Sequence, residues 1–276
     1  MIALAWFAAW RIIRFLPERS AYAIFQFAAK YVYRKNGRGV QRLRKNLYQI
    51  DKNLSEAKIE AAVASYLRYW CDTFRSPDWS KKRLQDSVSI IGRDLLMDAL
   101  NEKRAVIVAL PHSGNWDHAG AYYCSFGFGV TTVAERLKPE AVFQAFLKYR
   151  QSLGMEVLPL EPRVIATLAK RLKTNGFVAL VADRDLSDSG VEVNFFGKSA
   201  KMPAGPAALA QSTGALLLAA VVTYSDNGIA IEFEKINSDG DIKAVTQRMA
   251  DSFARGISKK PEDWHMLQRI WIEDDF

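Results

Sequence analysis

Cysteine and histidine are both scarce in this chain of 276 residues. Its two cysteines, Cys71 and Cys124, lie far apart and outside any CxxC spacing, which excludes a disulfide framework and a cysteine-ligated zinc site. The three histidines, His112, His118 and His265, do not reproduce the HxHxDH spacing of binuclear zinc hydrolases. The sequence therefore favours a reducing compartment and predicts a protein without a metal centre.

Long hydrophobic runs are also missing. The first uncharged run ends at Trp10 and the next extends over residues 20–29, and both are shorter than the roughly 20 residues that a spanning helix needs. A secretory signal peptide places its positive charges before the apolar stretch, whereas here they follow it. We therefore expect neither a membrane span nor a signal peptide.

Acidic residues are scarce in one part of the chain. Residues 1–50 contain ten Lys and Arg but one acid, Glu18, whereas residues 51–276 are close to neutral. Such an excess is typical of a segment that meets an anionic surface, either a membrane or a nucleic acid. No aromatic-interleaved nucleic-acid motif accompanies it, which disfavours the second partner.

The spacing of these charges predicts an amphipathic helix. Arg11, Arg14 and Glu18 recur at intervals of three and four, so they share one helical face. The remaining surface includes the apolar residues Trp6, Phe7, Ile13 and Phe15. The pattern favours a helix lying in the membrane interface, with two core helices carrying solvated charges as the alternative.

Beyond residue 50, short apolar runs rich in β-branched residues alternate with helical patterns. The predicted strands are 105–110, 130–134, 155–160, 177–182, 215–222 and 228–236. The predicted helices are 54–75, 114–124, 139–152, 162–174, 204–213 and 242–258. This alternation predicts an α/β fold with a mostly parallel central sheet flanked by helices, closed by a hairpin at 226–228. We expect a basic helical, membrane-associating N-terminal region, 1–50, packed on an α/β domain, 51–276.

Ligands of such sheets bind beyond the carboxyl ends of the strands, where the segment LPHSGNWDHAG, 110–120, is the most distinctive. His112 directly follows a predicted strand, and Asp117 opens the next helix five residues later. This spacing allows the Asp117 carboxylate to fold back onto the imidazole and make His112 a general base for a hydroxyl nucleophile. A histidine that merely stabilises a turn is the alternative. No GxSxG pattern is present, which argues against a covalent acyl-enzyme.

The segment from His112 to Asp117 resembles the HX4D motif of the glycerolipid acyltransferase superfamily. Further blocks follow in the order seen in the branch of lipid A late acyltransferases and phosphatidylinositol mannoside acyltransferases, the latter being closest. They are Glu135–Arg136, the DRD of 183–185, FFG at 195–197 and MPAGPAALAQSTGA at 202–215. The resemblance covers about residues 100–225. The sequence DRDL stands where glycerol-3-phosphate acyltransferases carry EGTR, which disfavours a glycerol phosphate acceptor.

The resemblance implies transfer of a long-chain acyl group from acyl-CoA, such as palmitoyl-CoA, or from acyl carrier protein to a glycolipid hydroxyl. The expected acceptor is a mannose of phosphatidylinositol mannoside, with a lipid A precursor or a lysophospholipid as alternatives. Acyl-CoA is a co-substrate, and no other cofactor is implied. The expected place is the cytoplasmic face of the plasma membrane, as a peripheral or monotopic protein on anionic phospholipid. A non-catalytic membrane scaffold is the alternative from another functional class.

The same resemblance assigns roles to residues. His112 deprotonates the acceptor hydroxyl, Asp117 orients His112, and Glu192 lies near the accepting hydroxyl. The expected substrate-binding residues are Glu135, Arg136, Arg150, Asp183, Arg184 and Asp185. Candidates for an apolar groove that holds the acyl chain are Phe126, Phe128, Phe143, Phe146, Phe195 and Phe196.

Overall fold

A computed structural model of the chain describes residues 10–136, 139–185, 187 and 189–273. Its helices are α1 (Glu18–Lys35), α2 (Arg38–Ile50), α3 (Glu56–Arg75), α4 (Lys81–Asp86), α5 (Arg93–Asn101), α6 (Trp116–Ser125), α7 (Glu140–Ser152), α8 (Val164–Lys173), α9 (Gly205–Thr213) and α10 (Ile242–Lys259). Its strands are β1 (Val88–Ile91), β2 (Val106–Leu110), β3 (Val130–Ala134), β4 (Glu156–Pro159), β5 (Phe177–Val181), β6 (Val191–Phe195), β7 (Lys198–Met202), β8 (Leu216–Ser225) and β9 (Gly228–Lys235). The predicted α/β alternation is confirmed.

Within the described ranges, seven strands form one sheet in the order β1-β9-β8-β2-β5-β3-β4. Neighbouring strands are parallel except for β8 and β9, which pair antiparallel as the predicted hairpin. Strands β6 and β7 form a separate antiparallel ribbon. Strand β1 was not predicted, because it is a four-residue edge strand whose pattern is only half buried.

Strand β2 lies at the centre of the sheet, and all five of its positions are buried. Ile107 packs into the hydrophobic cluster on one face of the sheet, and Val108 packs into the cluster on the other face. Helices cover both faces, which is why the strand is continuously apolar. The loops that follow β2, β3 and β5 therefore lie side by side at the carboxyl ends of the parallel strands.

The N-terminal segment is helical and packs against the domain. Residues 10–15 are helical, Arg14 pairs with Asp78, and Glu18 pairs with Arg83. Ile13, expected among the apolar membrane-facing residues, is buried, whereas Phe15 is 75% exposed. Trp6 and Phe7 lie outside the described residues. No helix in the described part of the chain is long and apolar enough to cross a bilayer.

Candidate active site

His112 lies two residues beyond Leu110, the last residue of β2, and Asp183 lies two residues beyond Val181, the last residue of β5. The sheet register pairs Leu110 with Val181. His112 Nδ1 is 2.6 Å from Asp183 Oδ1, and the His112 backbone N–H donates to Asp183 Oδ2 at 3.0 Å. Two adjacent parallel strands thus place a histidine–aspartate pair just beyond their carboxyl ends.

This pair combines a buried carboxylate with an accessible imidazole. Asp183 is fully buried, whereas the His112 side chain is 35% exposed. Burial raises the pKa of Asp183, but the charge of His112 and the hydrogen bonds from His112 and Trp264 outweigh it, so that the pKa is lowered. The ionised Asp183 accepts a hydrogen bond from His112 Nδ1 and thereby keeps a proton on that nitrogen. Nε2 has no hydrogen-bond partner among the described residues, so it is free to accept a proton.

The loop between His112 and α6 has the backbone that its sequence requires. Gly114 has φ +58°, and a Cβ there would lie 2.6 Å from the Val222 carbonyl oxygen, so that only glycine fits. Asn115 caps α6 by accepting a hydrogen bond from the His118 backbone N–H at 2.9 Å. The sequence SGN therefore makes a tight turn from strand to helix and brings the start of α6 beside His112.

The predicted contact between Asp117 and His112 is wrong. Asp117 Oδ1 accepts a hydrogen bond from Arg150 Nε at 2.7 Å, and its Oδ2 accepts one from Tyr69 at 3.0 Å. Asp117 is the second residue of α6, and its side chain contacts α3 and α7 and makes no contact with His112 among the described residues. Asp183 makes the contact expected of Asp117. Arg150, expected to bind substrate, is largely buried in this ion pair.

Two of the predicted substrate-binding residues lie together at the same edge of the sheet. Arg184 Nη2 is 4.0 Å from Glu135 Oε2, because these residues follow the neighbouring strands β5 and β3. The Glu135 side chain is 73% exposed, which leaves it accessible to a ligand. Arg136, which precedes α7, instead pairs with Glu140, the first residue of that helix, and is mostly exposed.

Asp185 and Glu192 make local contacts. Asp185 Oδ1 accepts a hydrogen bond from the Ser187 backbone N–H at 2.8 Å and thereby orders its loop. Glu192 lies on the exposed face of β6, where it accepts a hydrogen bond from Ser199 at 2.8 Å. Within the described chain, Glu192 has no contact with the pair of His112 and Asp183. Its predicted role at the acceptor hydroxyl stays a prediction.

An apolar slot lies between α6 and one face of the sheet. Helix α6 contributes Trp116, Ala119, Gly120 and Tyr123, which the 3.6-residue period places on one side of the helix. Alternate residues of five strands form the opposite wall: Val108, Leu110, Val130, Thr132, Phe177, Ala179, Val181, Ala220, Val222, Ile231 and Phe233. The enclosed cavity is about 60 Å³, and its mouth is open to solvent.

Polar groups occur at one end of this slot, where Asp117 and Arg150 line it beside Trp116. The Trp116 ring packs edge-on against His112, with centroids 5.4 Å apart. The slot therefore begins next to the imidazole. None of the six phenylalanines expected to form the acyl groove lines it, and Phe143, Phe146 and Phe195 are buried in the core instead.

Comparison with known proteins gives the family of the chain. The family model for the bacterial lipid A biosynthesis acyltransferases matches residues 1–273. The chain belongs to that family. It is 44% identical over 280 residues to a phosphatidylinositol mannoside acyltransferase of Mycolicibacterium smegmatis, covering 98% of this chain and 91% of that protein. A phosphatidylinositol mannoside acyltransferase of Mycobacterium tuberculosis is 41% identical over 281 residues, covering 98% and 88%.

The other two histidines of this acyltransferase are buried. Burial lowers the pKa of His118 to about 4 and that of His265 to about 3, so both are neutral. His265 Nε2 lies 2.9 Å from Ser65 Oγ, and the His265 backbone N–H donates to the His112 carbonyl at 2.8 Å. Within the described ranges, no group of three or more His, Cys, Asp or Glu side chains could hold a metal ion.

Sequence reasoning missed three parts of the site. Tyr69 hydrogen-bonds Asp117 and stacks on Trp116 at 4.3 Å, and Trp264 donates to Asp183 at 2.9 Å. His265 packs against the rings of Tyr69 and Trp116. The dipeptide Trp-His near the C-terminus was the one visible signal, and nothing in its spacing relates it to residues 112–117.

Proposed function

We propose that this acyltransferase moves a long-chain acyl group from acyl-CoA to a mannose hydroxyl of phosphatidylinositol mannoside, with His112 as general base. The observation that carries the proposal is the pair of His112 and Asp183. An ionised, buried carboxylate fixes the tautomer of an imidazole whose other nitrogen is free, which is the arrangement that general-base catalysis requires.

In the proposed reaction, the acceptor hydroxyl gives its proton to His112 Nε2 while its oxygen attacks the thioester carbonyl. Asp183 stabilises the imidazolium that forms, without taking the proton itself. The tetrahedral intermediate then collapses and expels the CoA thiolate. The imidazolium protonates that thiolate, so the products are an ester and free CoA, and His112 is neutral again. Much of the rate comes from holding two substrates beside one imidazole.

The apolar slot supports a long acyl chain as the transferred group. Its walls are aliphatic and aromatic, and its polar end is adjacent to His112 through Trp116. A chain lying in the slot would have its thioester at that end, within reach of the acceptor oxygen. Pockets of this type bury most of an apolar ligand and fix its orientation with a few polar groups.

The outer face of α1 supports action at a membrane surface. Ile24, Phe27 and Tyr31 recur at intervals of three and four along this helix, and they are 48%, 76% and 61% exposed. The cations Arg34 and Lys35 lie in its last turn. An apolar helical face bordered by cations suits peripheral binding to anionic phospholipid. The proposal places this contact at the cytoplasmic face of the plasma membrane, where acyl-CoA is present.

The test is a thiol-release assay with palmitoyl-CoA and vesicles that contain mannosylated phosphatidylinositol, a lipid A precursor or a lysophospholipid. Wild type and His112→Ala are compared after thermal melting has shown that both are folded. We expect release that depends on mannosylated phosphatidylinositol, with His112→Ala at least a thousandfold slower.

Other outcomes redirect the proposal. Release with the lipid A precursor alone would move the acceptor to that class, which the family description favours as the second candidate. No release from folded wild type with any acceptor would overturn acyl-CoA as donor, and acyl carrier protein would be tried next. Equal rates for wild type and His112→Ala would exclude the general base. If folded wild type shows no transfer with either donor, the result would favour a non-catalytic membrane scaffold.

A further inference from the structure

The Asp183 carboxylate is held by three donors. Oδ1 faces His112 Nδ1 at 2.6 Å, whereas Oδ2 accepts hydrogen bonds from the His112 backbone N–H at 3.0 Å and from Trp264 Nε1 at 2.9 Å. Trp264 is the one donor that comes from outside the two loops after β2 and β5. Its side chain is fully buried.

The segment around Trp264 also holds the loop that carries His112. The Gly114 N–H donates to the Asp263 carbonyl at 2.9 Å, and the His265 N–H donates to the His112 carbonyl at 2.8 Å. Between them, Ser113 and Trp264 form an antiparallel bridge. Residues 263–265 therefore lie alongside residues 112–114 as a short added strand.

This segment is anchored independently of Asp183. Asp263 Oδ1 accepts a hydrogen bond from Ser65 at 2.6 Å, and its Oδ2 accepts one from the Tyr224 backbone N–H at 2.7 Å. Both contacts are buried. The Trp264 indole is thus presented to Asp183 by a backbone that helix α3 and strand β8 hold in place.

We propose that Trp264 is a positioning residue for the transfer reaction, acting through Asp183 on His112. Its N–H fixes the plane of the carboxylate so that Oδ1 stays aligned with His112 Nδ1. The hydrogen bond from Trp264 also weakens the electrostatic effect of the Asp183 charge on the His112 imidazole. Without this donor, Oδ2 would lose a buried hydrogen bond, and His112 would face a stronger and less oriented anion. The inference rests on the proposed function, because it concerns the same histidine.

The other charged and titratable groups around His112 do not depend on Trp264. His265, whose backbone N–H bonds to the His112 carbonyl, stays neutral because burial lowers its pKa to about 3. Arg184 is paired with Glu135 at the sheet edge, and Asp117 is paired with Arg150 behind Trp116. Removal of the indole N–H therefore changes the pH profile of the enzyme through Asp183.

The chain offers a matched control in Trp271. Both indoles are buried and pack on Phe195, with ring centroids 5.8 Å away for Trp264 and 6.0 Å away for Trp271. Among the described residues, Trp271 Nε1 has no hydrogen-bond partner. Trp264→Phe and Trp271→Phe thus make the same change in the same core, but only Trp264→Phe removes a hydrogen bond to Asp183.

We expect Trp264→Phe to lower kcat about tenfold with KM for acyl-CoA changed by less than about twofold, and to move the acid limb of kcat/KM upward by roughly half a pH unit. Trp271→Phe should change neither. The proposal is overturned if Trp264→Phe and Trp271→Phe have the same kcat and the same pH profile. Absence of activity in wild type would instead contradict the proposed function.

Two further measurements separate positioning from a loss of folding. In an Asp183→Asn background, Trp264→Phe should cause no additional loss of kcat, because the partner of the indole has already lost its charge. In folded Asp183→Asn, one tryptophan indole N–H resonance should shift upfield, since its charged acceptor is gone. An unchanged indole spectrum, or full additivity of the two substitutions, would show that Trp264 does not act through Asp183.

Discussion

Asp183 and His112 are 71 residues apart in the chain, yet Asp183 Oδ1 and His112 Nδ1 are 2.6 Å apart. The two residues occupy equivalent positions, each two residues beyond the end of a parallel strand, and the strands are hydrogen-bonded neighbours. Their proximity therefore follows from the pairing of β2 with β5. A histidine–aspartate pair on such a support is held with little loss of orientation.

Asp183→Asn should reduce kcat at least a hundredfold. The amide fills the same volume, but the two N–H donors at the Oδ2 position hold its oxygen there, so its NH2 group faces Nδ1. It then disfavours a proton on Nδ1 and does not stabilise an imidazolium. Asp185→Asn is the matched control, because that carboxylate accepts a hydrogen bond from the Ser187 backbone and orders a loop. Steady-state rates with palmitoyl-CoA test this. An equal loss in both variants would show that the loop, rather than the pair with His112, is what the enzyme needs.

Arg150→Met should destabilise the protein by about 3–5 kcal/mol, because it leaves the buried Asp117 without its cation. Arg171→Met is the control, since its pair with Glu156 is 46% and 39% exposed and contributes little to stability. Urea unfolding at neutral pH measures both. Similar losses of unfolding free energy would mean that the Asp117 pair is better solvated than its burial indicates.

Gly120→Leu should shorten the acyl chain that the enzyme accepts. A Cβ at Gly120 would lie 2.7 Å from Met155 Sδ, so a larger side chain must fill the slot. We expect kcat/KM to fall at least tenfold for palmitoyl-CoA and much less for octanoyl-CoA. Gly129→Leu places the same side chain where nothing lies within 4 Å of the Cβ. If Gly120→Leu lowers kcat/KM equally for both donors, the acyl chain binds elsewhere.

Phe27→Ser should weaken binding to anionic vesicles about tenfold, because the exposed ring adds apolar area to the outer face of α1. The control is Ile91→Ser, which removes another exposed apolar side chain, from the edge strand β1. Vesicle sedimentation at low and high salt measures both. Equal binding by the two variants would remove α1 from the membrane contact.

Stability should fall as the pH decreases from about 6.5 towards 4. Burial lowers the pKa of folded His118 to about 4, so the unfolded chain takes up a proton in this window that the folded protein excludes. The contribution is fully present above pH 6.5 and is lost on acidification. His118→Gln should make the decline shallower by at most about 1.4 kcal/mol per pH unit. Urea midpoints at pH 7, 6 and 5 measure it, and parallel declines would contradict the assignment.

Much of the fold was predictable because its signals are local. The apolar run of β2, the exact strand 130–134 and the helix that ends at residue 75 follow from composition and period over a few residues. Strand β1 was missed because its four residues are stabilised by pairing with β9, about 140 residues later in the chain. Short edge strands leave little pattern in the sequence.

The sequence by itself determined that a histidine follows a central buried strand, that a glycine and an asparagine turn the chain into α6, and that carboxylates and arginines follow the neighbouring strands. Only the tertiary structure decided which carboxylate serves His112. Spacing favoured Asp117, five residues away, but the α6 helix directs its side chain to Arg150 and Tyr69. The register of β2 and β5 places Asp183 next to His112 instead, and Trp264, 81 residues later in the chain, donates a hydrogen bond to Asp183. Contacts of this kind depend on which strands become neighbours, and no local pattern encodes that choice.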